Sequence, residues 1–409
     1  MTAWTNLLRL EDRVLDTIYQ HPGSTRSSLV DTLGVSRSAL GRALDGLIAT
    51  GAVVPGPRSQ HSGPGRPVTY LSVAGDRGFS LGIDVGRTRC VALVRDRRGA
   101  VLVRARAHVE TFSHWRDPLR HVVHKLVEEA DFKQVDLSGV QCTGVGLPVP
   151  VLEDFDVTVV EDLLGEVHAG LIHVRNNVFV EALAQTAGSA PSLCHMFVRI
   201  SGGIGSCLVM STPPREAVSE HVTTAPARPP HVVVRAADVR HFRLLAGELG
   251  HIPVSVSTQV CHCGRTGCAE TVASVTAICH SAGVDDLEEL RLAYDAGQSA
   301  ARDAIGSAAR ALTEVFTAAA LSARLDAIVL GGALVEAVPD LMVQIHQQLP
   351  AQFPPSIGFV PRLVSANPDP VMGALGAALA AETRLQDQRL NEAEGTWSLS
   401  TSTSGHARP

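Results

Sequence analysis

Several things are scarce in this sequence, and each scarcity excludes something. No run of eighteen apolar residues occurs, which excludes a transmembrane helix. The opening stretch Met1–Asn6 lacks the basic-then-apolar pattern of a secretion leader, so a cytoplasmic protein is expected. Eight cysteines in 409 residues are too sparse for a disulfide framework and fit a reducing compartment with one metal site. Lysine is nearly absent, with only Lys125 and Lys133, so basic charge rests on arginine. The net charge is −6, so any contact with nucleic acid must come from a local surface. What is present is a 45% hydrophobic chain, long enough for two or three domains with sizeable cores.

The most informative stretch runs from Gly247 to Glu270. It reads Gly-Glu-Leu-Gly-His-Ile and later Cys-His-Cys-Gly-Arg-Thr-Gly-Cys-Ala-Glu. Cys261, Cys263 and Cys268 fall within eight positions, and His251 precedes Cys261 by ten. Three thiolates and an imidazole make a closed tetrahedral set, which suits one structural zinc ion per chain and leaves no open position for catalysis. Gly264 and Gly267 allow the loop to bring its sulfurs to one point. His262 is a competing ligand, but its place between two cysteines would strain the chelate. Glu248 and Glu270 bracket this loop, so a metal clamp could hold two carboxylates and a histidine at a small-molecule site.

The pattern Gly-Glu-x-Gly-His followed by Cys-x-Cys-Gly-x-x-Gly-Cys-x-Glu resembles the signature of the ROK family, which groups bacterial sugar-responsive repressors with sugar kinases. The resemblance runs from about Arg9 to about Glu382. It implies an α/β protein with a two-lobed actin-like, sugar kinase (ribonuclease H-like) body. It also implies that Asn176, Asn177, Glu248, His251 and Glu270 line a sugar site.

Residues 1–72 read as a separate unit. Leu10, Val14, Leu15 and Ile18 recur at helical spacing, and His21-Pro22-Gly23 ends that helix. Ser24 can cap a second helix, and Ser36, after the Gly34 turn, a third with Leu40, Leu44, Leu47 and Ile48 inward. Its outward face carries Arg37, Ser38 and Arg42. Strands near Val53 and Val68–Leu71 flank a Gly/Pro loop holding Arg66 between Gly65 and Pro67. Together these predict a winged helix-turn-helix, with Arg66 able to enter an A·T-rich minor groove. Seven arginines against five acids make this unit net +2, whereas the whole chain is negative. A three-helix protein-interaction module is the alternative.

The body divides into an N-terminal lobe (73–190), a C-terminal lobe with the metal motif (191–385) and a polar tail (386–409) expected to be disordered. Asp84, Gly86 and Thr88 match the family's first phosphate turn, and Gly202, Gly203 and Gly205 its second. Gly331 and Gly332 match its adenosine-side turn. Arg87 stands where the kinases carry glycine. Residues 211–240 read as an inserted mobile loop, and the Ala-rich run from Ser299 to Ala323 as a long helix. By the same match Asn177 occupies the position of the kinases' catalytic aspartate, and a carboxamide cannot accept the proton of the attacking sugar hydroxyl.

The sequence therefore predicts a DNA-binding regulator, a repressor, without kinase activity. It would respond to a sugar or sugar derivative and bind a double-stranded inverted-repeat operator as a homodimer or homotetramer, away from membranes. Two alternatives stay open. One is an active sugar kinase fused to a DNA-binding unit. The other is a regulator whose body only dimerises or binds a protein partner.

Overall fold

The computed structural model describes residues 10–21, 24–49, 53–58, 69–73, 78–87, 89–109, 114–149, 155–165, 167, 169–187, 194–211 and 242–402. The N-terminal unit has three helices, α1 (Leu10–Gln20), α2 (Arg26–Leu33) and α3 (Arg37–Ala49). Val14, Ile18, Leu29, Leu40 and Leu44 meet in its core because their spacing places them on one face of each helix. Thr25 caps α2 through a capping box with Ser28, while Ser24, the expected cap, donates instead to the His21 carbonyl. Gly34 ends α2 at φ +64°, a conformation only glycine adopts freely. Ser36 caps α3 by accepting from the Ala39 amide. Strands β1 (Val53–Arg58) and β2 (Thr69–Val73) pair antiparallel beside the helices.

The body holds two five-stranded sheets of the same topology. The first comprises β3 (Phe79–Val85), β4 (Arg89–Asp96), β5 (Val101–His108), β6 (Val140–Leu147) and β7 (Leu171–Asn176), in the order β5-β4-β3-β6-β7. The second comprises β8 (Cys194–Ile200), β9 (Ile204–Ser211), β10 (Phe242–Gly247), β11 (Ala327–Gly331) and β12 (Arg362–Ser365), in the order β10-β9-β8-β11-β12. In each, the first three strands run antiparallel and the last two add in parallel. The continuous apolar character of β3 and β4 follows from helices on one face and a second helix layer on the other, whereas β5 at the edge alternates buried and exposed residues.

The helix α4 (Arg116–Phe132) packs Leu119, Val122, Val123 and Leu126 on the first sheet. The helix α5 (Thr158–Leu164) adds Val160 and Leu164 to the same core. The 25-residue helix Ser299–Ala323 has the bounds its sequence suggests. It buries Ile305, Leu312, Val315 and Phe316 in the second lobe. Full burial of such side chains contributes about 1.5–3 kcal/mol each.

Two helices tie the lobes together. The helix α6 (Asn177–Ala187) leaves the first sheet and lays Val178 and Ala182 against Phe197, Cys207 and Val209 of the second. The closing helix Met372–Ser402 returns to the first sheet. It comes so close that a Cβ on Gly82 or Gly144 would strike the carbonyl oxygens of Ala374 and Ala377. The buried guanidinium of Arg95 pairs with Glu382 at 3.5 Å and fastens its middle. This helix runs through residues 386–402, where disorder was expected. Residues 383–394 contain no proline and are rich in Arg, Leu, Gln and Glu, so the helix continues through them at little cost. Among the described residues no helix is long and apolar enough to cross a membrane. Most of the inserted segment 211–240 lies outside the described residues, as do Arg66 and Thr88.

Candidate functional site

A cavity of about 440 Å³ opens between the lobes. Turns at the ends of strands line it, because the two sheets point those ends at each other. Asp84 and Gly86 come from the β3–β4 turn, Asn176 and Asn177 from the β7–α6 junction, and Ser201–Gly205 from the β8–β9 turn. Glu248, His251, His262 and Glu270 come from the segment after β10. All five sequence-predicted sugar residues therefore reach one space.

The loop at the base of this space gathers His251, Cys261, Cys263 and Cys268, with one ligand atom of each within 4.8 Å of the others. Cys261 Sγ lies 3.6 Å from His251 Nδ1, and Cys263 Sγ lies 3.7 Å from Cys268 Sγ. A tetrahedral ion with metal–sulfur bonds of about 2.3 Å and metal–nitrogen bonds of about 2.0–2.1 Å requires edges of about 3.8 and 3.6 Å. The donors thus fit a bound metal. Gly264 and Gly267 take φ +85° and +83°, which turns the chain back between the sulfurs. Without a cation, burial pushes the Cys268 thiol up to about 12, since neighbouring sulfurs cannot all ionise unaided. A second possible set, His251, His262 and Glu270, shares His251 with the first.

His251 points Nδ1 at the sulfurs and Nε2 toward Glu248, 3.9 Å from its Oε2. Glu270 is held by groups of the second lobe. Its Oε2 accepts the Ile204 amide at 2.8 Å, and its Oε1 faces His262 Nδ1 at 3.2 Å. His262, weighed from sequence only as a metal ligand, lines the cavity.

At the β7–α6 junction, Asn176 accepts from the Val178 amide at 2.9 Å and donates to the Val149 carbonyl at 3.2 Å. Asn177 is buried and donates Nδ2 to the Val85 carbonyl at 3.0 Å. An aspartate carboxylate in the same pose would set two acceptors against each other. Gln185, one helical face further on, makes two hydrogen bonds with the Asn367 backbone and so braces α6.

The opposite end of the cavity holds a cluster that the motifs did not reveal. Arg199 of β8 pairs with Glu181 of α6 at 2.8 Å and approaches Asp84 of β3 at 3.9 Å. Burial pushes the Asp84 carboxyl up to about 6, against the pull of Arg199; Glu181 adds to the rise, and Arg89 lowers it. One Asp84 oxygen is buried without a hydrogen-bond partner. Burial opposes the charge on Arg199, but Glu181 and Asp84 outweigh it and raise the guanidinium's pKa. The available signals were an arginine in the apolar run Phe197–Ile200 and a glutamate in Val178–Ala184. Gly331 and Gly332 line an adjoining cavity of about 360 Å³, with Glu181 and Arg89 in its wall.

Comparison with known proteins places these features. The model of the ROK family matches residues 240–384, the segment that carries the cysteine loop. The chain is 24% identical to the xylose repressor of Bacillus subtilis over 297 residues, covering 69% of each protein. It is 37% identical to a glucokinase of Halalkalibacterium halodurans over 133 residues, 28% of this chain and 40% of that enzyme. A crystal structure of a ROK family transcriptional regulator, a homolog of the E. coli MLC protein, superposes with a TM-score of 0.65. That likeness spans 91% of this chain and 94% of the other at 20% identity, and it shows the common fold. The chain thus carries a match to the ROK family around its cysteine loop, over residues 240–384, and shares the fold of a ROK regulator over nearly its whole length.

Proposed function

We propose that this protein is a DNA-binding transcriptional repressor whose two-lobed body binds a sugar without phosphorylating it. One observation carries the reading: α3 presents Arg37, Ser38 and Arg42 to solvent on one face, in a helical unit set before a sugar-kinase-like body. The names of the relatives point the same way, since xylose repressors match over more of this chain than the kinases do.

In this reading α2 and α3 are a helix-turn-helix and β1–β2 are the base of its wing. The second helix enters the major groove, where an arginine can bridge guanine O6 and N7. Arg66 would follow the minor groove beside it. A homodimer or homotetramer would present two such helices to an inverted repeat. In the body, Glu248, His251, Glu270 and Asn176 offer acceptors and donors to sugar hydroxyls. Asn177 adds an amide but no base. Catalysis of phosphoryl transfer would need a carboxylate there to accept the hydroxyl proton.

Zinc is the metal this donor set favours, held by His251, Cys261, Cys263 and Cys268. Its contribution is rigidity: it would fix the His251 ring and the short helical turn carrying Glu270, so that both keep their aim at the ligand.

Footprinting of the full-length protein on genomic DNA, with and without a sugar panel, tests the proposal. A protected inverted repeat that one sugar releases is the expected result. Arg37→Ala should weaken that site by about 1–3 kcal/mol and relax its base preference. Absence of any protected sequence would remove DNA binding from the account.

A further inference from the structure

The strands β4 and β5 and the turn between them carry a lopsided charge balance. Residues 89–108 contain six arginines and a single acid, Asp96, in a chain whose net charge is −6. Three of these charges are engaged within the body. Arg95 is buried against Glu382, Arg89 at the far end acts on Asp84, and Asp96 turns inward to accept the Ala100 amide. Arg97, Arg98, Arg104 and Arg106 remain, and the last three are exposed. Lys125 of α4 reaches the same edge and donates to the Arg106 carbonyl at 3.5 Å.

Register sets the geometry of this edge. Val103, Ala105 and Ala107 pack into the core with α4, so Arg104 and Arg106 stand on the opposite face of β5. Phe79 pairs with Asp96 and Arg95 with Val101, which puts the β4–β5 turn at the end of the sheet where β3 begins. The helical unit joins the body at that same end, since β2 stops at Val73 and β3 starts at Phe79. Arg97 marks the junction. It donates to Gln141 Oε1 at 2.7 Å, and a Cβ on Gly78 would stand 2.9 Å from its Nε. The five residue steps from Val73 to Gly78 span at most about 18 Å. From the Val101 rung, Arg104 lies about 10 Å along β5 and Arg106 about 17 Å. The cationic edge therefore begins at the root of the helical unit.

We infer that Arg98, Arg104 and Arg106, with Lys125 beside them, form a second DNA-contacting surface that holds backbone phosphates next to the half-site read by α3. The inference rests on the DNA-binding reading proposed above and adds the body to the interface. Arginines on alternate residues of a strand point the same way at intervals of about 6.8 Å, so they meet successive charges of a polyanion. A single compact anion would need the guanidinium groups to converge, and here they are spread along the edge. Such contacts position the duplex and raise affinity, but they carry no base information.

The test is salt-dependent binding of the full-length protein, followed by fluorescence anisotropy. Two duplexes serve as probes, one of mixed sequence and one holding the repeat protected in footprinting with its flanks. Losing three phosphate contacts flattens the dependence of log affinity on log salt by about 2.7. The triple variant Arg98→Gln, Arg104→Gln, Arg106→Gln should show that flattening on both duplexes. At about 0.15 M salt it should bind at least about tenfold more weakly. Its preference among operator sequences and its melting temperature should stay as in the wild type. Lysine at the same three positions should restore most of the slope, since an ammonium also meets phosphate as a point charge. The control variant Arg302→Gln, Arg310→Gln, Arg362→Gln removes equal charge from exposed sites on the second lobe and should leave the slope unchanged. An unchanged slope in the first variant, or an equal loss in the control, would overturn the inference and leave the repressor reading standing. If the wild type binds neither duplex, the inference and that reading fall together.

Discussion

At the metal-loop end of the cavity the polar groups look outward; at the Asp84 end they look at one another. Glu248, His251 and His262 face the cavity with bonding capacity left for a ligand, and only Glu270 is tied to the backbone. Asp84, Glu181 and Arg199 instead form a buried ion cluster across three elements, β3, α6 and β8. In a phosphoryl-transfer enzyme this is where metal–nucleotide charge must be accommodated. Here a side-chain cation already sits against the carboxylates. In the function proposed above, the fold would keep a ligand site while these internal charges close the reaction site beside it.

Removing the metal loop should have the largest effect. Structural zinc contributes on the order of 10 kcal/mol of apparent binding energy in small domains. Cys263→Ser should abolish stoichiometric metal and lower the melting temperature of the body. Elemental analysis of fresh wild type that finds no zinc would break the comparison at its first term.

Breaking the ion cluster comes next. Arg199→Ala strands two buried carboxylates, and losing one partner of a buried pair costs about 3–5 kcal/mol. Urea unfolding would measure it. A loss of under about 1 kcal/mol, the size of an exposed pair, would mean the cluster is solvated.

Asp84 allows a finer test. Its folded pKa, about 6, lies above the ordinary 3.8, so the folded protein holds this proton more tightly than the unfolded chain does. The stabilisation is present below about pH 4 and is lost as pH rises through 6. Asp84→Asn removes that dependence. Between pH 4 and 7 the wild type should lose roughly 2 kcal/mol relative to the variant. Parallel stability curves for the two proteins would contradict the burial argument.

The smallest effect concerns catalysis. Asn177→Asp restores a carboxylate, but it would face the Val85 carbonyl, and Arg199 would still occupy the far end. ATP turnover with a sugar panel should stay well below about 1 s⁻¹, the low end for ordinary enzymes. Turnover above that by either protein would show that the internal cation does not close the site.

The motifs already implied a good deal of this. The metal loop was legible because its sulfurs lie within eight residues, and two glycines with positive φ suffice to fold them together. The helix Ser299–Ala323 was legible because local periodicity and alanine content decide it. Thr25 replaced Ser24 as the α2 cap because two adjacent hydroxyl residues compete, and only backbone geometry chooses between them. The helix beyond residue 385 was missed because polar composition was read as disorder, although residues 386–394 are mostly good helix formers.

By itself, then, the sequence determined what short-range chemistry can determine: the cysteine chelate, the glycine turns, the amide at position 177 and the helical unit at the N-terminus. Tertiary structure alone decided the charge map of the cavity. Asp84, Glu181 and Arg199 come from separate elements on both lobes, and nothing in their spacing signals that they meet. The closing helix lies on the first sheet only because Gly82 and Gly144 leave room for its backbone. That Arg199 is neutralised depends on that long-range packing, because a charge is set by its neighbours in space and not by those along the chain.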